Sequence, residues 1–265
     1  MGLLVSADIL ERRRRVMEKL PGEEKAKLQE RLDESDIAVA KMRTRLKVFF
    51  KYAGGGMPQS MGVLGYMCQK HCNQIRKNGE QYIVHPLSMA CRAEALGVLD
   101  DELFATILLH DVVEDTNAKL EDLPASEEVK KAVKLMTFDW PRRTTSLSSP
   151  CLKSQAKREY YENLAQNKTA LLCKGFDRWD NLGTMTALSK RAIRKNVLET
   201  SIWLLPKLEK AKNDWPEDSD MMFLVRGEIK ISMLMLAHYN EVNDLTDEVE
   251  LIRLIDDESY LKDSK

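Results

Sequence analysis

The chain has little of what marks secreted, membrane or β-rich proteins. Its 265 residues include five cysteines, an odd number at irregular spacings, which favours reduced thiols over a disulfide framework. No apolar run approaches the roughly 20 residues that a membrane helix needs, and no signal-peptide pattern is present. Eight prolines, twelve glycines and few β-branched runs leave little to interrupt helices. We therefore expect an all-α cytoplasmic protein with no membrane partner.

The chain also lacks an excess of charge of either sign. Its 41 lysines and arginines nearly balance its 42 aspartates and glutamates, so no overall basic field recommends nucleic acid as a partner. The most basic run, ERRRR at residues 11–15, is typical of a solvated helix face. A site for an anionic ligand must therefore be local.

Glycine and proline divide the helical pattern into segments. The three glycines and the proline of YAGGGMPQS, residues 52–60, cannot continue a helix cheaply and predict a break. The stretch 139–151, rich in Pro, Ser and Thr, predicts a long loop. We expect an N-terminal helical extension over residues 1–55, a central helical domain over 56–212 and a C-terminal helical extension over 213–265.

A cluster of titratable residues follows an apolar helical run in LLHDVVEDT, residues 108–116. If the helix continues through it, four side chains project from one side: His110, Asp111, Glu114 and Asp115. The preceding apolar residues predict burial, and buried carboxylates are costly unless a metal, an arginine or a lysine compensates them. The cluster therefore predicts a cation beside it.

Two other segments supply residues of the right chemistry. His85 precedes Pro86 at a helix start, where the backbone is restricted. Asp177, Asn181 and Thr184 fall at i, i+4 and i+7 of a helix with an apolar stripe, and so share one face. A set of two imidazoles and two carboxylates, suited to Mn²⁺, Fe²⁺ or Zn²⁺, would consist of His85, His110, Asp111 and Asp177. Such an ion activates water near neutral pH.

Three motifs resemble those of the HD superfamily of metal-dependent phosphohydrolases: RKNGEQYIVHP at 76–86, HDVVEDT at 110–116 and KGFDRWDNL at 174–182. More narrowly, about residues 60–212 resemble the alarmone hydrolase domain of the RelA/SpoT family. The resemblance implies an HD-domain helical bundle, here with extra N- and C-terminal helices. It also implies removal of the 3′-pyrophosphate from guanosine tetra- or pentaphosphate to give GDP or GTP. Residues 213–265 are too few for the family's synthetase domain, so we expect a hydrolase alone.

The resemblance implies a role for each candidate residue. The ligands of a Mn²⁺ ion would be His85, His110, Asp111 and Asp177. The attacking water would be positioned or deprotonated by Glu114 and Asp115. The purine base of the substrate would be contacted by Arg76 and Lys77. The ribose or its phosphates would be contacted by Asn181 and Thr184.

Four positions depart from the family's motifs. Gln81 stands where Pro is usual and Gly175 where Ala is usual, while Asp180 and Gly183 replace a common His and Arg. The last two make their helix less basic, which leaves the exact substrate open. The same site would alternatively act on another nucleotide, such as an adenosine alarmone, or belong to a weakly catalytic, nucleotide-binding regulatory protein. Whether the protein is a homo-oligomer also stays open.

Other features have plainer interpretations. His71 and His238 lack a pattern of partners and are interpreted as structural. The Met-rich stretch MMFLVRGEIKISMLML, residues 221–236, is interpreted as core or as a helix–helix interface.

Overall fold

The protein is helical throughout the part of the chain that the structure describes. The computed structural model describes residues 21–76, 79–138 and 151–256. Within these ranges there is no β-strand, only an isolated antiparallel bridge between Ile75 and Gln81. The prediction of an all-α protein is confirmed. None of the helices in these ranges combines the length and the apolarity needed to cross a membrane.

The helices are numbered here in chain order. The first six are α1 (Gly22–Tyr52), α2 (Pro58–Lys70), α3 (Val84–Ala95), α4 (Asp101–Leu109), α5 (Val112–Asp115) and α6 (Glu127–Met136). The next six are α7 (Cys151–Leu164), α8 (Lys168–Thr184), α9 (Lys190–Glu199), α10 (Leu205–Asp214), α11 (Ser219–Tyr239) and α12 (Glu248–Asp256). The chain divides into two compact units, Met1–Lys130 and Lys131–Lys265. The three parts expected from the sequence have other limits and remain a prediction.

Consecutive glycines separate the first two helices of the first unit. Gly54, Gly55 and Gly56 have φ angles of 59°, 85° and 103°, in the left-handed region that side chains other than glycine rarely adopt. α1 therefore ends at Tyr52. α2 begins at Pro58, where the missing N–H of proline would be unpaired in any case. The predicted break between helices is confirmed.

The core of the first unit encloses helix α4. α2 and α3 both pack on α4, and α1 packs on α2 and α3. The rings of Phe49, Phe50 and Phe104 lie with centroids 5.2 to 5.9 Å apart. Asp100 caps α4, since its carboxylate accepts a hydrogen bond of 3.0 Å from the backbone N–H of Leu103. Every residue from 103 to 109 is buried. The polar residue that follows, His110, is thereby carried into the interior.

In the second unit, helices α8 and α11 approach each other closely at Gly175. A Cβ atom at this position would lie 2.7 Å from Cγ1 of Val225, closer than packed atoms tolerate without movement. Gly175 is one of the departures from the family's motifs, which have Ala there. Its missing methyl group makes room for α11, which follows the region of resemblance.

A second departure also contacts a helix outside the region of resemblance. Gln81 is buried, and its side-chain amide donates hydrogen bonds to Asp36 and, at 3.3 Å, to Ser35 of α1. A proline at this position would have no side-chain donor. The two departures thus have a structural reason, because each serves the packing of an added helix.

Candidate metal centre

The titratable cluster does not lie on one continuous helix. α4 ends at Leu109, and Asp111, with φ −105° and ψ 0°, ends a turn before the short helix α5. The prediction of four side chains on one buried helix face is therefore wrong. His110 is buried and Asp111 is half-buried, while Glu114 and Asp115 are exposed. The turn avoids burying all four ionisable groups, which would be costly.

Two imidazoles lie side by side in the interior of the first unit. His85 is in the first turn of α3, and its ring centroid lies 5.2 Å from that of His110 at an interplanar angle of 73°. Nδ1 of His110 lies 2.8 Å from the carbonyl oxygen of Ile107, which only accepts, so Nδ1 carries the proton. Nε2 of His110 lies 2.9 Å from Oδ2 of Asp111. The two atoms are therefore close enough to ligate one cation.

Three residues that received no site role from the sequence support this turn. The hydroxyl of Tyr82 donates to Oδ2 of Asp111. The ring of His71 lies 4.7 Å from that of Tyr82, and its Nδ1 lies 2.7 Å from Oε1 of Gln74. Gln74 in turn donates to the carbonyl oxygen of Asp115 at 2.6 Å. Tyr82 lies inside a quoted motif, which was the available signal, whereas nothing local marked His71 or Gln74.

The surrounding protein shifts the pKa values of His71 and Asp115 in opposite directions. Burial lowers the pKa of His71, which keeps its imidazole neutral near neutral pH. Although Asp115 is exposed, desolvation by the surrounding protein and the negative charge of Asp111 raise its pKa. A carboxylate whose pKa is raised is a better proton acceptor once it is ionised.

On helix α8, the carboxylate of Asp177 is held by neighbours on its own face. Nζ of Lys174 lies 2.6 Å from Oδ2, and the side-chain amide of Asn181 donates to Oδ1 at 2.5 Å. The hydroxyl of Thr184 donates to the carbonyl oxygen of Asn181 at 3.2 Å. The predicted common face of Asp177, Asn181 and Thr184 is present. Lys174, also in the third motif, was not singled out from the sequence.

The predicted metal ligands belong to both units of the chain. In the first unit His85 and His110 are buried, and Asp111 contacts this pair through His110. In the second unit Asp177 is buried. Imidazole nitrogens and carboxylate oxygens are donors suited to Zn²⁺, Mn²⁺ or Fe²⁺. The chemistry of these residues therefore fits a divalent ion.

The residues expected to bind substrate are described only in part. Arg76 is half-buried, and its backbone N–H donates to the carbonyl oxygen of Glu80 at 2.8 Å. Lys77 lies outside the described residues. Contacts of these side chains with a purine base remain a prediction.

A second buried polar cluster, which we call the Arg178 network, was not anticipated. Nη2 of Arg178 donates to Glu199 at 2.9 Å and to the hydroxyl of Tyr161 at 3.0 Å, and Tyr161 donates to Glu199 at 2.6 Å. Lys157 donates to the other oxygen of Glu199 at 2.7 Å, and Nη1 of Arg178 donates to Asn196 at 2.7 Å. The network joins helices α7, α8 and α9.

The pKa values in the Arg178 network reflect competition between burial and pairing. Burial lowers the pKa of Lys157 to about 8, and Glu199 offsets this only in part. Burial alone would raise the pKa of Glu199, but Lys157 and Arg178 outweigh burial and hold that pKa below its ordinary value. Glu199 is therefore ionised at neutral pH and neutralised by its neighbours.

About half of this chain is similar in sequence to several curated proteins. A guanosine-3′,5′-bis(diphosphate) 3′-pyrophosphohydrolase of Aquifex aeolicus is 32% identical over 137 residues, which cover 50% of this chain and 18% of that protein. A probable enzyme of the same name from Synechocystis is 33% identical over 136 residues, which cover 49% of this chain and 17% of that protein. This chain thus spans less than a fifth of the length of these relatives. The alignments confirm the resemblance to the RelA/SpoT-type HD hydrolase domain.

Other comparisons add less. A 3′-pyrophosphohydrolase of the same name from Spiroplasma citri is 25% identical over 233 residues, which cover 83% of this chain and 30% of that protein. A solved structure described as a metazoan ortholog of SpoT has a TM-score of 0.41 and 24% identity, covering 74% of this chain and 93% of that one, a likeness too distant to carry an argument. No protein-family model matches the chain.

Proposed function

We propose that the protein is a metal-dependent hydrolase that removes the 3′-pyrophosphate from guanosine 3′,5′-bis(diphosphate), or its pentaphosphate counterpart, to give GDP or GTP. The observation that carries the proposal is the pair of buried imidazoles of His85 and His110, whose ring centroids lie 5.2 Å apart beside Asp111. Support also comes from three of the relatives, which are all named for this reaction.

His85, His110, Asp111 and Asp177 would hold a divalent ion, for which we propose Mn²⁺. A divalent ion held there would lower the pKa of a bound water molecule and offset negative charge on the phosphoryl oxygens. The chain supports the ligands in two ways. The carbonyl oxygen of Ile107 selects the tautomer of His110, and the hydroxyl of Tyr82 restricts the rotation of Asp111.

Glu114 and Asp115 would orient the attacking water and accept its proton. Their exposure lets water and a charged nucleotide reach them. The water oxygen forms a bond to the phosphorus attached to the 3′ oxygen. The bond from that phosphorus to the 3′ oxygen breaks, and a proton passes to the 3′ oxygen as pyrophosphate leaves. Arg76 and Lys77 would contact the base, while Asn181 and Thr184 would contact the ribose or its phosphates.

The test is turnover of guanosine tetraphosphate by the purified full chain, stripped of metal and then assayed with and without Mn²⁺. We expect GDP and pyrophosphate, resolved by anion-exchange chromatography, only when Mn²⁺ is present. His110→Ala should abolish turnover, while the control His238→Ala, on helix α11, should retain it. Metal-loaded, folded protein that releases no pyrophosphate from this nucleotide would refute the proposal.

The same assay separates the alternatives. Adenosine 3′,5′-bis(diphosphate), added as a competing substrate, shows whether the protein discriminates between guanine and adenine. This comparison matters because Asp180 and Gly183 depart from the family's motif. Tight nucleotide binding without turnover would instead indicate a regulatory protein. We also propose a cytoplasmic location, since Cys68, Cys72, Cys91 and Cys173 are free thiols, as is usual in a reducing compartment.

A further inference from the structure

Helix α11, Ser219–Tyr239, carries apolar side chains on two opposite faces. One face is buried in the second unit through residues that include Met222, Val225, Ile229 and Met233. The other face has six large apolar side chains that are 42% to 75% exposed: Phe223, Leu224, Ile231, Leu234, Met235 and Tyr239. At about 100° per residue, these six fall within one half of the helix circumference. We call this exposed face the α11 stripe.

The α11 stripe is as large as the largest apolar patch of a typical monomer. Six side chains of this size, each about half exposed, present on the order of 500 Å² of apolar surface, and the largest apolar patch of a typical monomer is about 300–600 Å². A stable interface takes about 800 Å² from each partner, with an apolar centre and a polar rim. The stripe supplies such a centre, and the polar residues that border it supply the rim.

The charges of α11 favour a protein over a lipid surface as the occupant. Helices that lie on membranes are rich in lysine and arginine on their polar face. α11 has two acidic residues, Asp220 and Glu228, and two basic residues, Arg226 and Lys230. It therefore has no net charge to attract anionic lipid, and no net charge to repel a second copy of itself.

The pattern of large and small residues along the stripe is self-complementary. Gly227 lies in its middle, and a Cβ atom there would meet nothing within 4 Å, so the helix surface has a notch open to a partner. In an antiparallel pair of α11 helices centred near residue 229, Ile231 of each copy lies opposite Gly227 of the other. The same register places Phe223 beside Leu234 and Leu224 beside Met235 across the two-fold axis.

We propose that a second copy of this chain covers the α11 stripe through this antiparallel, two-fold contact. The test is sedimentation equilibrium of the full chain from about 1 µM to about 100 µM, where contacts of this size assemble. We expect a monomer–dimer equilibrium. Ile231→Lys should weaken it by at least about 30-fold, as expected for a central apolar residue.

A second variant and a control distinguish a loss of dimerisation from a loss of folding. Gly227→Gln raises helix propensity but fills the notch, so it should weaken the dimer while the midpoint of urea unfolding is kept or raised. Val249→Lys, at a 62% exposed position of α12, should leave the dimer intact. A wild type that stays monomeric, or a dimer unchanged by Ile231→Lys and Gly227→Gln, overturns the proposal. Binding to vesicles of phosphatidylcholine and phosphatidylglycerol that Ile231→Lys abolishes would assign the stripe to lipid and overturn it as well.

Discussion

The two buried polar clusters of this protein keep ionisable groups inside in opposite ways. The Arg178 network contains its own cations, so that the carboxylate of Glu199 meets Arg178 and Lys157 within 2.9 Å. The cluster of the first unit, which we call the His110 cluster, consists of His71, Tyr82, His85, His110 and Asp111. These five residues are imidazoles, a phenol and a carboxylate, and none of them is a lysine or an arginine. A closed network serves stability, whereas a cluster of ligand atoms calls for a cation from solution.

The difference shows that burial alone does not mark a functional site. Glu199 and Arg178 are as buried as His85 and His110, and the pKa of Glu199 is strongly perturbed. What separates the clusters is whether the cluster itself contains a lysine or an arginine. This leads to four predictions, in which changes to one cluster should alter metal binding and changes to the other should alter unfolding.

Removing an imidazole from the His110 cluster should have the largest effect. His85→Ala takes away one proposed ligand and should lower the affinity for Mn²⁺ by about 10²- to 10⁴-fold. Titration of metal-free protein with Mn²⁺, followed by electron paramagnetic resonance, measures this. His238→Ala serves as the control and should bind Mn²⁺ like the wild type. Equal affinities for the wild type and His85→Ala would remove the basis of the comparison.

Breaking the Arg178 network should instead lower the free energy of unfolding. Arg178→Ala leaves Glu199 buried without one of its two cationic partners and should cost about 3–5 kcal/mol. The matched control is Arg158→Ala, since Arg158 pairs with Glu248 at an exposed site and should cost less than about 1 kcal/mol. Urea unfolding measures both. Similar losses of unfolding free energy in Arg178→Ala and Arg158→Ala would show that burial of the Arg178 network contributes little to stability.

Two tyrosine hydroxyls allow the same change in both clusters. Tyr161→Phe removes a hydrogen bond of 2.6 Å to Glu199 and should cost about 1.5–3 kcal/mol of unfolding free energy, with Mn²⁺ affinity unchanged. Tyr82→Phe frees Asp111 and should lower Mn²⁺ affinity or turnover by about 10- to 100-fold, with a smaller loss of stability. The comparison fails if Tyr161→Phe and Tyr82→Phe change the unfolding free energy and the Mn²⁺ affinity by the same amounts.

Acid should weaken the Arg178 network. The pKa of Glu199 is held below its ordinary value of 4.5, so its ionisation favours the folded state. This contribution is complete above the unfolded pKa and is lost as the pH falls below 4.5. The difference in unfolding free energy between the wild type and Glu199→Gln should therefore narrow on going from pH 7 to pH 4. A difference that stays constant over this range would contradict the assignment.

Local patterns in the sequence predicted the features that depend on neighbouring residues. The break at Gly54–Gly56, the common face of Asp177, Asn181 and Thr184, and the all-α composition follow from helix periodicity and glycine conformation. The motifs around His85, His110 and Asp177 identified the resemblance that the relatives confirm.

Local patterns could not predict contacts between residues that are far apart in the sequence. Tyr82 and Asp111 are 29 positions apart, and Lys157 and Glu199 are 42 apart. Periodicity has no information at such separations. The end of α4 at Leu109 was also missed, because the apolar pattern continues through Val112 and Val113 and the cost of burying the charges appears only once the surroundings exist.

The amino-acid sequence by itself determined that the chain is helical, where its helices are interrupted, and which segments contain metal-binding residue types, because each of these depends on residues within a few positions of one another. Only the tertiary structure decided which ionisable groups are buried and which of them are neutralised by the protein. It also decided that Gly175 and Gln81 serve the added helices, since burial and charge compensation depend on side chains that the sequence keeps far apart.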